Sequence, residues 1–189
     1  GLVAPHIDYR RGRVAYGLTY NYLRDQEHDL YVLIGTSHQY SDHMFHLTTK
    51  DFASPLARLP SDSGFVQELA RRYGDKRSFA DEFLHKREHS LELQLPFLSY
   101  LKGEATIVPI LVGSFHQILN SGRIPSSFDQ YESFVGALAE VTRQQIANGK
   151  RILFIAGVDM AHVGRDFGDA GNLTEDFMRR VETRDRVYL

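Results

Sequence analysis

Four histidines in this chain stand where chemistry is easiest to build. His6 follows the run Gly1-Leu2-Val3-Ala4-Pro5, and His38 follows Tyr31-Val32-Leu33-Ile34-Gly35-Thr36-Ser37. His162 closes a run that begins at Ile152, and His89 opens Glu88-His89-Ser90-Leu91-Glu92-Leu93-Gln94-Leu95-Pro96-Phe97. Imidazole binds metals and moves protons near neutral pH. His6, His38 and His162 each sit where an apolar, strand-like run gives out. An open α/β sheet binds ligands outside the carboxyl ends of its strands, so convergence on that edge is what a metal or proton-transfer site requires.

The neighbours sharpen the choice. Asp8 can orient or pair with the His6 imidazole, and Arg10 and Arg11 face either an anionic substrate or solvent. Gly35-Thr36-Ser37-His38-Gln39 offers hydroxyls at a tight strand exit. Gln39 stands where a nucleophile elbow needs its second glycine, which disfavours a serine hydrolase. His43 and His46 read as surface residues. His85-Lys86-Arg87-Glu88-His89 spells H-x-x-E-H, the inverted zinc-peptidase signature, with its histidines four apart on one helical face. So short a pattern arises easily in a chain with nine histidines, and Lys86 and Arg87 would put positive charge beside the cation. The preferred reading is that Glu88 and His89 begin a helix whose Leu91, Leu95 and Leu98 pack into the core. In Gly157-Val158-Asp159-Met160-Ala161-His162-Val163-Gly164 a strand delivers Asp159 and His162 into a loop. There they bind metal or shuttle a proton, unless Asp159 only caps a turn and His162 packs.

The elements that would position these groups alternate in type. Strands are expected over residues 1–5, 30–35, 105–112 and 151–158, the third weakened or bulged by Pro109. A hairpin is expected around Met44 to Thr49. Helices are expected over 11–24 (Val14, Leu18 and Tyr22 at helical spacing), from Ser61-Asp62-Ser63 to Tyr73 with Gly74 as the stop, and over 88–101, 131–147 and 172–187. Residues 114–130 read as a loop. Phe134, Leu138, Val141 and Ile146 fall roughly on one face of the 131–147 helix. The alternation predicts an α/β fold with a mostly parallel central sheet flanked by helices. No repeat or linker divides the chain, so one α/β domain over 1–189 is expected. The first residue already lies in a strand-like run and the last in a helical one, so terminal segments of the full domain are expected to be missing.

Composition narrows the partners. The chain has 189 residues, enough for a real core. A net charge of −2 gives no broad nucleic-acid or membrane-surface footprint. No run is apolar and long enough to span a bilayer. Cysteine is absent, which removes disulfides and thiolate zinc sites and fits a reducing cytoplasm. Any metal must be held by His, Asp, Glu, backbone or water, a donor set suited to iron, zinc or manganese.

Together these segments resemble the Memo family, also called AmmeMemoRadiSam system protein B. The family pattern is an A-P-H-x-x-Y turn, a G-x-S-H turn, an E-H-S-x-E-x-x-L-P-F/Y helix, an I-V/I-P-V/I-L-V-G strand and an S-S-D-x-x-H loop. Here these are Ala4 to Tyr9, Gly35 to His38, Glu88 to Phe97, Ile107 to Gly113, and Gly157 to His162. The resemblance runs from residue 1 to about 165.

It implies a fold similar to the class III extradiol dioxygenases, which hold non-haem iron with two histidines and a glutamate. Carried over, His6 and His38 match the two histidine ligands, and His89, positioned by Glu88 or Glu92, matches a general base. Asp159 and His162 match the last motif, with His162 able to stabilise a developing oxyanion. Eukaryotic members carry a cysteine as third ligand, and here that position is Ala161, which cannot ligate. The third ligand is therefore expected from Asp159, with His89, His162 or water as alternatives. Gly157 and Val158 replace the motif's serines, and Ile7-Asp8 replaces a small Ala-Gly pair. The expected cofactor is Fe(II), with zinc or none as alternatives. The expected activity is oxygenation of a small substrate. A non-catalytic peptide- or partner-binding module with a vestigial site, or a metal-dependent hydrolase, are the competing readings. The family name also implies association with a radical-SAM protein.

Overall fold

Leu30 to Gly35 is apolar without alternation, the pattern of a strand covered on both faces. In the computed structural model, which describes residues 1–113 and 115–187, this run is the centre of the sheet. The strands are β1 (Leu2–Pro5), β2 (Leu30–Thr36), β3 (Phe45–Leu47), β4 (Phe52–Ala53), β5 (Arg58–Leu59), β6 (Ile107–Val112) and β7 (Ile152–Val158). The helices are α1 (Tyr9–Asn21), α2 (Ser63–Tyr73), α3 (Asp75–Phe79), α4 (Leu84–Arg87), α5 (His89–Glu92), α6 (Leu95–Lys102), α7 (His116–Ser121), α8 (Asp129–Ala147) and α9 (Glu175–Arg186).

The main sheet runs β1-β7-β2-β6-β3, parallel except for the antiparallel edge strand β3. Strand period two sends alternate residues to opposite faces. Leu30 and Val32 meet Phe65, Leu69, Phe134 and Val141 of α2 and α8. Tyr31 and Leu33 meet Tyr16 and Tyr20 of α1, with Leu91, Leu95 and Leu98 of α5 and α6. The expected α/β sheet with flanking helices is therefore present, and its parallel strands end on one edge. Contacts divide the chain into two compact units, 1–158 and the remainder from Asp159. The first holds the sheet and α1 to α8. The second holds a 3-10 turn over Arg165–Phe167 and α9, whose N-cap Thr174 accepts from the Phe177 N–H.

Several local expectations need correction. The hairpin around Met44 to Thr49 does not form: β3 pairs with β6, far away in sequence, and the hairpin is β4–β5. The Val14, Leu18 and Tyr22 stripe faces outward, and α1 instead buries Gly12, Tyr16 and Tyr20. On α8, Phe134 and Val141 are buried while Ile146 is exposed. The 88–101 helix is two pieces, because Pro96 has no N–H to continue a ladder and instead sits in the first turn of α6. Pro109 is in register with Leu33 of β2. On β6's other side Ile107 donates to Pro60 O, and the pairing with β3 begins only at Ile110. The missing Pro109 N–H thus falls in a gap between those two contacts. Of the expected 114–130 loop, Ser114 lies outside the described residues, and α7 and a 3-10 turn over Pro125–Ser127 fill much of the rest.

His46 is not on the surface. It is fully buried on β3, and its carbonyl oxygen lies 3.1 Å from His85 Nε2. Burial lowers the pKa of both imidazoles, that of His85 from 6.5 to about 4 despite the opposing bond to the His46 carbonyl. Between those values an unfolded chain takes up a proton that the folded chain refuses. Stability should therefore fall as pH drops from about 6.5 to about 4, by on the order of 3 kcal/mol from His85 alone, and not change through this group above that window. Urea unfolding at pH 7 and pH 4.5 checks this, with His85→Gln expected to flatten the difference. An unchanged pH slope in that variant would refute the assignment.

Candidate metal centre

The site is built from the exits of β1 and β2 and the start of α5. His6 follows β1 and is buried, with Nδ1 3.0 Å from Gly157 O on β7. A carbonyl accepts only, so Nδ1 carries the proton and the ring's lone pair is on Nε2. Asp8, expected to orient this imidazole, caps α1: its side chain accepts the Arg11 N–H, and it pairs with the Arg11 guanidinium.

His38 follows β2 and is half exposed. Its Nδ1 lies 2.9 Å from Glu88 Oε1, which fixes the same tautomer. Its backbone N–H donates to Glu88 Oε2 at 2.8 Å. His89 Nδ1 lies 3.3 Å from Glu88 Oε1. One buried carboxylate thus backs two imidazoles. It also caps α5, accepting the N–H groups of His89 and Ser90. Burial pushes the Glu88 carboxyl up, but the N–H groups of His38 and Ser90 and the His38 ring outweigh it, so the net shift is downward. Glu88 is therefore an anion at neutral pH, as a carboxylate behind metal-binding imidazoles needs to be.

The three rings converge. Centroids are 5.2 Å apart for His6 and His38, 5.8 Å for His6 and His89, and 4.7 Å for the stacked pair His38 and His89. One ring nitrogen from each lies within 4.8 Å of the others, close enough to hold one metal ion. His6 forms the buried floor, and the exposed His38 and His89 leave one side accessible.

Two glycines allow α5 to lie this close. A Cβ on Gly35 would come 2.6 Å from Ser90 Oγ, and one on Gly157 would come 2.8 Å from Gln94 Nε2. Gln94 was not singled out from the sequence, yet it ties the site together. It is buried, donates to Pro5 O at 2.9 Å and to Ser90 O at 3.2 Å, and accepts the Tyr20 hydroxyl at 3.0 Å. A polar residue at a core position of the motif helix was the available signal.

The H-x-x-E-H reading fails geometrically. Glu88 is extended between α4 and α5, so His85 and His89 share no helical face, and His85 is directed to the His46 carbonyl. In the second unit His162 Nε2 lies 3.1 Å from Asp159 Oδ2, and Ala161 N–H donates to Asp185.

A family profile described as Memo-like protein matches residues 1–189. The chain belongs to the Memo family. Among curated relatives, a MEMO1 family protein of Aquifex aeolicus is 31% identical over 189 residues, covering 100% of this chain and 45% of its own. One from Archaeoglobus fulgidus is 29% identical over 161 residues, covering 85% of this chain and 54% of its own. One from Pyrococcus horikoshii is 27% identical over 172 residues, covering 88% and 54%. The chain spans about half the length of the curated relatives it matches. The resemblance read from its motifs is thus confirmed, and this Memo chain carries a three-histidine cluster able to hold a metal. Among the described residues, no helix is long and apolar enough to cross a membrane.

Proposed function

We propose that this Memo-family chain holds iron(II) and oxygenates a small organic substrate. The observation that carries the reading is the convergence of His6, His38 and His89. The donors fit the ion: neutral imidazoles suit first-row metals, and the acceptors at Nδ1 of His6 and His38 leave the Nε2 lone pairs for a ligand role. When bound, iron(II) would supply sites at which dioxygen and substrate are activated together. His6 and His38 bind, and Glu88 holds the His38 and His89 rings in orientation. His89 either completes the ligand set or takes the substrate's proton. A second reading, zinc-dependent hydrolysis, is favoured by the donor types, because three neutral imidazoles also serve catalytic zinc.

The test is metal analysis of protein purified without oxygen, followed by Fe(II) and Zn(II) titration. About one ion per chain is expected, with His6→Ala and His38→Ala each weakening uptake by more than about a hundredfold while circular dichroism stays unchanged. His89→Ala separates its two roles: loss of metal makes it a ligand, and retained metal with lost turnover makes it a base. The same titration on Asp159→Ala tests the ligand role that the resemblance implies for that residue. Oxygen-dependent turnover supports the oxygenase, and oxygen-independent turnover the hydrolase. No uptake of either ion refutes both.

A further inference from the structure

A cavity of about 350 Å³ opens in the first unit, between the segment over 48–53, the segment over 82–86 and Glu92 of α5. That volume suits a small molecule. Phe52 and Phe83 give it aromatic surface. Phe83 is 81% exposed. Phe52 sits edge-on to the buried His85 ring, with centroids 6.3 Å apart.

The charged lining is balanced. Asp51 is already taken by the Arg58 guanidinium and the Ser61 N–H. Among the described residues Glu82 accepts only a neutral hydroxyl, that of Thr48, at 2.7 Å. Lys50, Lys86, Glu82 and Glu92 all line the cavity, and none makes an ion pair among the described residues. Two ammonium groups and two carboxylates therefore surround an aromatic patch. A simple anion would meet the carboxylates and a simple cation the lysines. A ligand bearing both charges beside a ring satisfies both sets.

We propose that this cavity binds a zwitterionic amino acid with a large aromatic side chain. The lysines take its carboxylate, Glu82 and Glu92 take its ammonium, and Phe52 and Phe83 pack its ring. Charge-assisted hydrogen bonds and aromatic contacts supply the selectivity. The assignment does not rest on a metal at the histidine cluster.

The chain has no tryptophan, so the fluorescence of added L-tryptophan, excited at the red edge of its absorption where the chain's 10 tyrosines absorb little, reports binding. Titrating the full chain into L-tryptophan should give a saturable rise in anisotropy. N-acetyl-L-tryptophan, without the ammonium, and L-tryptophan amide, without the carboxylate, should each bind at least about tenfold more weakly. Lys50→Gln/Lys86→Gln should bring L-tryptophan down to the level of the amide, and Glu82→Gln/Glu92→Gln to that of the acetylated form. Phe83→Ala should weaken all three, and His38→Ala should change none. No saturation by about 1 mM of the chain would overturn the proposal. So would equal binding of the three probes, or loss of binding in His38→Ala, which would move the ligand to the histidine cluster.

Discussion

Glu88→Ala should weaken the candidate metal centre and the fold together. The carboxylate is buried and accepts the backbone N–H groups of His38, His89 and Ser90 as well as His38 Nδ1. Alanine leaves those donors without an acceptor in a place water reaches poorly. Hydrogen bonds to a charged group contribute about 1.5–3 kcal/mol each and do not add fully, so a loss of about 3–5 kcal/mol is expected in urea unfolding of the metal-free protein. Metal affinity should fall about ten- to a hundredfold, the usual consequence of removing a carboxylate behind ligating imidazoles. Glu88→Gln keeps one acceptor oxygen, so it should recover part of the stability without restoring the negative charge behind the rings. A wild-type unfolding midpoint in Glu88→Ala would show that the carboxylate carries neither role.

The second large effect comes from a residue that offers no ligand atom. Gly35→Ala would set a methyl group 2.6 Å from Ser90 Oγ and 2.8 Å from Leu91 Cδ2, both on α5. Neither can yield freely, because Ser90 Oγ donates to Thr36 O at 2.8 Å and Leu91 is buried in the core. Relief requires α5 to lift from the sheet, and His89 and the Glu88 cap go with it. Overpacking of this kind costs about 1–3 kcal/mol, and metal affinity should drop by more than about tenfold as the rings separate. Gly157→Ala should act alike, through Gln94 Nε2 at 2.8 Å and Ser90 O at 3.0 Å. Gly17→Ala is the control: nothing lies within 4 Å of its Cβ, and on the exposed face of α1 the change should be neutral or stabilising by up to about 1 kcal/mol. Unperturbed metal binding in Gly35→Ala would mean that the approach of α5 does not set the site.

What was legible in the sequence followed from local patterning. The apolar runs of β2 and β7 announce buried strands, and Asp62 with Gly74 brackets α2 as capping chemistry requires. His6 and His38 were legible because each follows such a strand. What escaped depends on distant partners. Phe45-His46-Leu47 is buried as a strand against β6, and nothing near it in sequence says so. Burial of His46 follows from that pairing alone. The α1 stripe misled because its large aromatics Tyr16 and Tyr20 compete with Val14 and Leu18 for the buried face, and only the packed Phe97 ring decides between them. The sequence offers His89 as a base beside the metal, or as an alternative third ligand. Its stacking on His38 through a shared carboxylate is a tertiary fact that helix periodicity does not encode.

The position of His6 has a consequence for order in the sheet. It hangs from β1, a four-residue strand that among the described residues is paired on one side only, to β7. Edge strands this short are the first parts of a sheet to fray. A bond from His6 to an ion shared with His38 would pin that hem to the central strand. Occupancy of the centre and integrity of the sheet's margin then become one equilibrium, in which whatever frays the margin also releases the ion.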